Sequence, residues 1–326
     1  NDFFPGTSPT NLPSQTYTSR QTPSNTYLYV LNCLFNSITS TGHGGALYCS
    51  TSVSCLLVES TSFFSCKTSG GRGGAIYFEN TNSGQSVLHY VCGYDCCTTD
   101  TNVRKFAYIY VKKNISNKNY INYSSISRCV NVKMYARQTL CLVNGKICFQ
   151  SVNISNNKCY GESVICYPSV DSNSFTCSFS YSSFADNVAT DYSLFLLWIT
   201  GAKYEIKSCN IIRNSQVAVN SYGMISTQGN TMIEDSCILE NKATPTFYTT
   251  SSSYKITLSN CTVDSTSNNG NLIIQSTATK SFILALNHIS TQNCHSGYDV
   301  VGYLTPITPP PPPLPSSNKQ KYCYTG

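Results

Sequence analysis

Apolar and polar residues alternate in short segments along most of the chain. Two examples are YEIKSCNII, residues 204–212, and YKITLSNCTV, residues 254–263. Alternation with a period of two is typical of a half-buried β-strand. Such segments lead into an apolar-x-x-Asn or apolar-x-x-Cys signature, and a second apolar segment follows after a polar turn. The pattern therefore predicts a repeated unit of strand, corner, loop and strand.

The repeated unit recurs about every 25 to 33 residues, in ten copies. One unit of this kind cannot bury its own apolar face, whereas stacked units share a continuous core. We therefore predict an all-β fold, a right-handed parallel β-helix of about ten coils that spans residues 27–304. A β-sandwich is the structural alternative, but it does not require the same corner residue to recur at one register.

Asn or Cys occupies the corner of each predicted coil. Asn tolerates left-handed and turn conformations, and stacked Asn side chains can form an amide ladder. Such a ladder would tie each coil to the next. The predicted corner ladder consists of Asn36, Cys66, Cys129, Asn157, Asn187, Asn214, Asn241 and Asn293.

Cysteines that share a register in neighbouring coils would lie about 4.8 Å apart, within the Cα range that a disulfide accepts. Cys209, Cys237 and Cys261 share one register in the predicted alignment, so they are disulfide candidates. At least one of the three cannot pair within that column. A buried column of reduced, apolar thiols fits the same spacing, and the sequence leaves both alternatives open.

Glycine pairs occur in two similar stretches, GHGGALY and GRGGAIY. A strand that starts after a sharp turn needs positive φ or close backbone approach, and glycine supplies both. Neither stretch opens a helix, which a phosphate-binding glycine loop would do. We therefore predict that Gly44, Gly45, Gly73 and Gly74 are turn glycines.

The two ends differ in composition from the repeats. Residues 1–26 are rich in Pro, Ser and Thr and are expected to be a lead-in or an atypical cap. Residues 305–326 contain PITPPPPPLP, which predicts a polyproline II spacer or a disordered tail. The chain shows no signal peptide and no apolar run of membrane-spanning length. We expect a processed or truncated ectodomain whose membrane anchor is not in this chain.

Charged residues make up only 11% of the sequence, so the surface is expected to be mainly hydroxyl and amide. Strand-forming Ser, Thr, Asn and Tyr dominate over helix-forming Glu and Lys, which predicts very little helix. The net charge of +6 is spread along the chain without a basic cluster. Nucleic acid is therefore not an expected partner.

The cysteine content indicates the redox compartment in which the protein is located. The chain has eighteen cysteines without the paired CxxC spacing of a zinc site. An even, high count favours an oxidising, extracellular location. We expect an extracellular glycoprotein that needs no cofactor. The Asn-x-Ser/Thr sequons that serve as glycosylation candidates are Asn114, Asn122, Asn153 and Asn260.

The paired motifs resemble those of a known group of surface proteins. The GGA[I/L] motif at residues 44–47 and 73–76, and the FxxN motif at residues 184–187, are similar to the polymorphic outer-membrane proteins of chlamydiae. The Ser, Asn and Cys richness and the Pro-rich segment resemble the related surface proteins of trichomonad parasites more closely. This resemblance implies a surface-exposed β-helix that adheres to host cells through a protein or glycan partner.

Two alternatives to adhesion follow from the same fold. A stack of open β-coils can self-assemble into an extracellular coat or filament. Parallel β-helices also include polysaccharide-degrading enzymes, and Gly42-His43-Gly44 is similar to the Gly-His-Gly of polygalacturonases. That family places two aspartate motifs before the histidine, and only Asp2 precedes His43 here. We therefore expect a non-enzymatic protein. Many of its 24 tyrosines are expected to pack in strands, and exposed ones would offer aromatic platforms of the kind that bind proteins or glycans.

Overall fold

The computed structural model describes residues 2–99, 106–129, 138–190, 193–217 and 222–279. The regular elements in these ranges are all β-strands, and strands that pair run parallel. Strands that are adjacent in a sheet come from successive turns of the chain. The chain is therefore a β-solenoid, which confirms the predicted all-β, parallel β-helix fold. Among the described residues there is no helix with the length and hydropathy needed to cross a membrane.

Three large sheets form the walls of the solenoid. Sheet A consists of Thr10–Leu12, Tyr27–Leu31, Cys55–Glu59, Gln85–His89, Lys118–Asn122, Lys146–Gln150, Cys177–Ser180, Lys203–Lys207, Asn230–Glu234, Lys255–Ser259 and Asn271–Ile274. Sheet B consists of Thr16–Tyr17, Leu34–Asn36, Ser62–Phe64, Cys92–Tyr94, Ser125–Ser127, Asn153–Ser155, Ser183–Ala185, Asn210–Ile212, Cys237–Leu239 and Thr262–Val263. Sheet C consists of Leu47–Cys49, Ile76–Glu79, Ala107–Tyr110, Leu140–Val143, Val164–Tyr167, Phe195–Leu197, Ile225–Thr227, Phe247–Thr249 and Asn268–Asn269.

Two short sheets lie between sheets B and C. One consists of Thr39–Ser40, Lys67–Thr68 and Cys97–Thr98, and the other of Lys158–Cys159, Val188–Ala189 and Ser215–Gln216. Each full turn passes through sheets A, B and C in that order. The nine strands of sheet C enclose eight complete turns, slightly fewer than the ten coils predicted. The predicted rung that ends at Asn293 lies outside the described residues.

Two residues in each turn adopt a left-handed backbone conformation, with φ between 47 and 58°. Left-handed residues bend the chain sharply, so each one ends a strand and starts the next wall. After sheet A they are Asn32, Ser60, Tyr90, Tyr123, Ser151, Tyr181, Ser208, Asp235 and Asn260. After sheet B they are Ser37, Ser65, Asp95, Arg128, Asn156, Asp186, Arg213 and Glu240. The ladder asparagines were predicted to adopt turn conformations, but the bend is made by the residue before Asn157, Asn187, Asn214 and Asn241.

Side chains that point inward form one continuous core. The middle residue of most sheet B strands is apolar and buried, as in Phe35, Phe63 and Phe184. The rings of Phe35 and Phe63 stack with centroids 4.8 Å apart, because turns that are in register place equivalent residues above one another. Stacked turns thus bury the apolar face that one turn would expose.

The N-terminal residues form a cap with its own strands. Residues 10–12 and 16–17 pair with the first full turn in sheets A and B. Phe4 packs on the outer side of sheet A with Tyr29 and Leu57, and the Lys118 ammonium group lies 5.3 Å from the Phe4 ring centre. Residues 1–26 were expected to be a lead-in or cap, and those described are part of the solenoid. Residues 305–326 lie outside the described residues.

Candidate ligand-binding face

The predicted asparagine ladder joins four successive turns. The backbone N–H and the Nδ2 of Asn187 both donate to Oδ1 of Asn214, over 3.0 and 3.1 Å. Asn157 makes the same two bonds to Asn187, and Asn214 makes them to Asn241. Nδ2 of Asn187 also donates to the carbonyl of Ile154, in the preceding turn, over 2.8 Å. These amides therefore bond to the turns on both sides, which makes the scaffold rigid.

Cysteine replaces asparagine in the first turns of the same column. The thiols of Cys66 and Cys96 lie 3.5 and 3.3 Å from the carbonyl oxygens of Phe35 and Phe63. These carbonyls are equivalent to the ones that the ladder amides contact. Cys129 joins the two halves of the column, because its backbone N–H donates to the Oδ1 of the first ladder asparagine over 2.9 Å. A small buried thiol thus preserves one of the contacts of Asn.

Asn36 does not belong to this column. It pairs with Phe64 and is exposed, whereas Cys66 lies two residues further on. The ladder position of that turn is occupied by Ile38, which is buried. The apolar-x-x-Asn signature was placed two residues too early in this turn. The last predicted member, Asn293, lies outside the described residues.

A second column of small polar residues follows the first left-handed corner. Ser182 Oγ accepts the backbone N–H of Val152 over 3.0 Å and donates to the Ser180 carbonyl over 2.9 Å. Ser124 and Ser236 make the same type of contact in other turns. This column was not predicted from the sequence. Its signal is a Ser, Thr or Cys two residues after the end of many sheet A strands.

The predicted disulfide column is not in register. Cys237 pairs with Asn210 and Thr262, so Cys209 and Cys261 lie one residue before that column. Cys209 and Cys261 are also two turns apart, about 10 Å, which is too far for a disulfide. No disulfide joins any of the three in the described part of the chain. Burial raises the pKa of the Cys209 thiol to about 12, so the thiol is unreactive at neutral pH.

The turn glycines pack against each other in adjacent turns. Gly44 and Gly73 have φ values of 65 and 73°. The Gly45 backbone N–H donates to the Gly73 carbonyl over 3.0 Å. A Cβ on Gly45 would lie 1.9 Å from the carbonyl oxygen of Gly74. The two similar sequences therefore encode two stacked turns in which backbone atoms of one turn occupy the space that a side chain of the other would need.

The four sequons differ in accessibility. Asn114 and Asn260 are exposed, whereas Asn122 and Asn153 are only 7% and 3% exposed. Nδ2 of Asn153 also donates to Ser125 Oγ over 3.0 Å. A side chain without access to solvent cannot carry an oligosaccharide in the folded chain. The folded protein therefore presents two of the four candidates.

Three tyrosines form a stacked row on the outward-facing side of sheet C; Tyr48 is half-buried, whereas Tyr77 and Tyr108 are only 7% and 4% exposed. Tyr48, Tyr77 and Tyr108 share one register, and neighbouring rings are 5.5 and 5.4 Å apart. The ring of His43 stacks on Tyr77 at 4.5 Å. In the following turns the column continues with Cys141, Ile165 and Leu196. We call this outer surface, from Tyr48 to Leu196, the aromatic face.

Cations flank the tyrosine row. The guanidinium groups of Arg20 and Arg72 lie 5.1 and 4.8 Å from the ring centres of Tyr48 and Tyr108. Both distances permit a cation–π interaction. The hydroxyl of Tyr77 donates to the Glu79 carboxylate. Burial, together with this carboxylate, raises the pKa of Tyr77, so this hydroxyl stays protonated.

His43 is held neutral beside these cations. Burial, and then the positive charge of Arg72, lower the pKa of the imidazole. Its Nδ1 accepts the backbone N–H of Arg72 over 3.0 Å. The acceptor role of Nδ1 requires the tautomer with the proton on Nε2. His43 is thus a neutral residue beside the tyrosine row, and the Glu79 carboxylate opposes the lowering of its pKa.

More aromatic residues lie along the same side of sheet C. Trp198 is half-buried and packs edge-on to Tyr222 at 6.3 Å. Tyr222 in turn lies 5.7 Å from Tyr248. Tyr222 and Tyr248 come close to Trp198 only because the turns stack. A second group of rings therefore lies beyond Leu196, the C-terminal end of the aromatic face.

Two surface carboxylates form ion pairs with residues of the adjacent turn. The Asp186 carboxylate accepts two hydrogen bonds from the Arg213 guanidinium, over 2.8 and 2.9 Å. Glu234 lies 3.1 Å from the Lys207 ammonium group. Both pairs are at the surface of the solenoid. Among the described residues, no group of three or more His, Cys, Asp or Glu side chains is placed to hold a metal ion.

Comparison with known proteins adds no assignment. No protein-family model matches the chain, and no curated protein or solved structure matches it.

Proposed function

We propose that this chain is a cell-surface, extracellular, non-enzymatic β-helix that adheres to a protein or glycan on a host cell. The observation that carries the proposal is the aromatic face, where Tyr48, Tyr77 and Tyr108 stack in a row flanked by Arg20 and Arg72. Tyr, Trp and Arg are the residues most enriched where proteins bind partners. Flat rings also suit the apolar faces of sugar rings, while guanidinium groups suit hydroxyl and carboxylate groups.

Rigidity of the scaffold supports a binding role. The tyrosines of the row sit on three consecutive strands of one sheet. Backbone hydrogen bonds between turns hold these strands at a fixed spacing of about 4.8 Å. A preorganised surface loses little conformational entropy when it binds. The solenoid can therefore present the partly exposed Tyr48, Arg20 and Arg72 in a fixed arrangement, with the buried rings of Tyr77 and Tyr108 beneath them.

An extracellular location is supported by two observations. Cys92 is disulfide-bonded, and disulfides persist mainly in oxidising compartments. The sequons at Asn114 and Asn260 are exposed. Buried thiols such as Cys49 are compatible with that compartment, because burial raises the pKa of the thiol and blocks access of oxidants. The similarity to trichomonad-type surface proteins belongs to the same proposal.

A structural subunit of an extracellular coat or filament is the second candidate. The observation that favours it is the strand Asn271–Ile274, the last described strand of sheet A. Ile273 and Ile274 of this strand are 42% and 44% exposed. An apolar strand at the end of a parallel stack is a template for pairing with another copy. In this alternative the solenoid would grow end to end.

Cell binding of purified protein tests the proposal. We expect saturable binding to epithelial cells, and we expect Tyr48→Ser to weaken it about tenfold or more, as loss of an interface anchor does. The matched control is Tyr181→Ser. Tyr181 is 47% exposed and occupies a left-handed corner at which other turns carry Ser. This control should bind like the unmodified chain.

Size-exclusion chromatography of the same samples separates the two candidates. A monodisperse protein with saturable, Tyr48-dependent binding supports adhesion. Large assemblies that do not bind cells would favour the coat or filament. A monodisperse protein that does not bind cells, or equal loss of binding in Tyr48→Ser and Tyr181→Ser, would contradict adhesion through the aromatic face.

A further inference from the structure

A groove lies on the outer side of sheet A, over the strands Lys203–Lys207, Asn230–Glu234 and Lys255–Ser259. These strands come from three successive turns and pair in register. The volume of the groove is about 180 Å³. The side chains that line it include Phe175, Lys203, Asn230, Met232, Lys255 and Thr257. We call this feature the sheet A groove.

Part of the groove surface is apolar. Phe175 is 38% exposed, although it is a large apolar side chain. Met232 is half-buried and faces outward, because Thr231 and Ile233 on either side of it are buried on the core side of the strand. Apolar surface in a groove becomes buried when a ligand covers it, which favours binding. The groove therefore suits a ligand with an apolar side.

Two lysines flank the groove. Lys203 is in register with Asn230, and Lys255 lies beside Asn230 in the turn that follows. Lys203 and Lys255 are thus two strand spacings apart, about 10 Å between Cα atoms. Among the described residues, neither ammonium group forms an ion pair. Long lysine side chains can converge on one anion across this distance.

Two carboxylates on the same side of sheet A act on a different lysine. Glu234 lies 3.1 Å from the Lys207 ammonium group. The hydrogen bond and charge of Glu234, and then the charge of Glu205, raise the pKa of Lys207. Lys207 is not among the residues that line the groove. These carboxylates therefore leave the charges of Lys203 and Lys255 without an ion-pair partner.

The carboxylate of Asp171 is satisfied within its own loop. It accepts the backbone N–H of Asn173 over 2.9 Å and the hydroxyl of Ser174. The hydrogen bonds from Ser174 and Asn173 lower the pKa of Asp171 more than the charge of Lys203 does. Asp171 and Lys203 also form no ion pair with each other. The charge of Lys203 is therefore available to a ligand.

Hydrogen-bond donors dominate the polar groups of the groove. Each lysine ammonium group has three donors and no acceptor. Oδ1 of Asn230 already accepts the backbone N–H of Lys255 over 3.2 Å, which leaves its Nδ2 group as a donor. The hydroxyl of Thr257 can donate or accept. The groove therefore favours a ligand that has acceptor oxygens and a negative charge.

We propose that the sheet A groove binds a carboxylated sugar of a glycan, with the carboxylate held by Lys203 and Lys255 and the ring packed against Phe175 and Met232. The C–H groups on the face of a sugar ring pack on apolar and aromatic side chains. Its hydroxyl groups accept hydrogen bonds from donors such as Nδ2 of Asn230. An acidic peptide carries its carboxylates on flexible side chains that have no such ring.

The sheet A groove is separate from the aromatic face. The groove lies on sheet A, whereas the row from Tyr48 to Leu196 lies on sheet C. A ligand can therefore bind at the groove whether or not the aromatic face binds cells. Failure of one proposal leaves the other standing, because each is tested with its own variants.

NMR titration of the whole chain with three soluble glycans is the first test. The probes are 3′-sialyllactose, which carries sialic acid, a hyaluronan tetrasaccharide, which carries uronic acid, and lactose, which has no charge. We expect one of the two acidic glycans to bind about tenfold more tightly than lactose or better. The tighter of the two identifies the source of the carboxylate. Absence of binding by both, or lactose binding as tightly as they do, would overturn the proposal.

Substitution of single lysines locates the site. Lys203→Gln and Lys255→Gln should each weaken binding of the acidic glycan about fivefold, because each removes one ion pair with the ligand. The matched control is Lys146→Gln. Lys146 is exposed, lies two strand spacings before Lys203 in the same outward column, and does not line the groove. This control changes the net charge equally and should leave the affinity unchanged.

Two results of these measurements would overturn the groove as a glycan site. Equal loss of affinity in Lys146→Gln and Lys203→Gln would mean that the ligand follows the overall positive charge of the surface. Displacement of the acidic glycan by a hexaglutamate peptide at equal concentration would mean that the groove takes acidic peptides. Thermal unfolding of each variant checks that it is folded, which we expect because all three lysines are at the surface.

Discussion

Nδ2 and the backbone N–H of Asn187 converge on a single oxygen, Oδ1 of Asn214, over 3.1 and 3.0 Å. The contact joins residues 27 positions apart in sequence. It is repeated in the turns before and after, so one side chain contributes bonds to both neighbouring turns. In a quasi-one-dimensional fold, such nearest-neighbour contacts carry much of the stability.

Asn187→Leu should destabilise the fold strongly. The substitution leaves the backbone N–H and Nδ2 of Asn157 buried without their acceptor, and each unsatisfied group costs about 1–3 kcal/mol. We expect the free energy of unfolding to fall by about 3 kcal/mol or more. Asn187→Cys should be milder, because Cys66 and Cys96 already occupy this column. Urea unfolding followed by circular dichroism measures the difference.

The control for the ladder is Asn36→Leu. Asn36 is exposed and lies outside the ladder column, so we expect a change within about 0.5 kcal/mol. Equal stability of Asn187→Leu and Asn36→Leu would show that the amide column does not hold the turns together.

Gly73→Ala should destabilise the protein more than Gly201→Ala. Both glycines have positive φ, 73 and 78°. A Cβ on Gly73 would lie 2.0 Å from the Ile76 carbonyl oxygen, whereas a Cβ on Gly201 would meet no atom within 4 Å. Gly201→Ala should therefore lower the free energy of unfolding only by the cost of the left-handed conformation, about 1 kcal/mol. Gly73→Ala should lower it clearly more. Thermal unfolding of the two variants tests this order, and a reversed order would contradict the stacked glycine turns.

His43 should make stability depend on pH. Its pKa in the folded chain is lowered by burial and by Arg72, so the unfolded chain binds the proton more readily. Stability from this group is therefore present above the unfolded pKa of about 6.5 and is lost as pH falls below it toward the folded pKa. His43→Gln should reduce the fall in melting temperature between pH 7.5 and 5.5.

His89 also contributes to the pH dependence of stability. Burial lowers the pKa of His89 too, so part of the pH dependence should remain in His43→Gln. His89→Gln with His43 intact is the matched comparison. An unchanged pH profile in His43→Gln would mean that the imidazole is not buried beside Arg72.

Secretion from a glycosylating eukaryotic cell should modify Asn114 and Asn260 but not Asn122 and Asn153. The first two are exposed and the last two are buried. Peptide mass spectrometry after enzymatic release of N-glycans reads each site separately. An oligosaccharide on Asn153 in folded, secreted protein would contradict the packing of sheet B.

The repeat could be predicted from the sequence because each repeated unit is encoded by residues that are close together in the chain. Alternation with period two identifies a strand, and the return of Asn or Cys at near-constant spacing indicates stacked turns. The asparagine ladder at residues 157, 187, 214 and 241 followed from that spacing. The paired glycine turns followed from two copies of one motif. The ladder and the glycine turns could be predicted because each depends on a short segment of sequence.

Registers and surfaces were decided by the tertiary structure. The displacement of Asn36 by two residues and of Cys237 by one is visible only when strands pair across turns. The row of Tyr48, Tyr77 and Tyr108 joins residues about thirty positions apart, which no local pattern connects. The burial of Asn153 and Ser183 also depends on the tertiary structure, because a local pattern does not show that the outward-facing side of sheet B is covered. The sequence determined the repeating turn, and stacking of the turns decided which side chains meet and which are covered, because those contacts join residues distant along the chain.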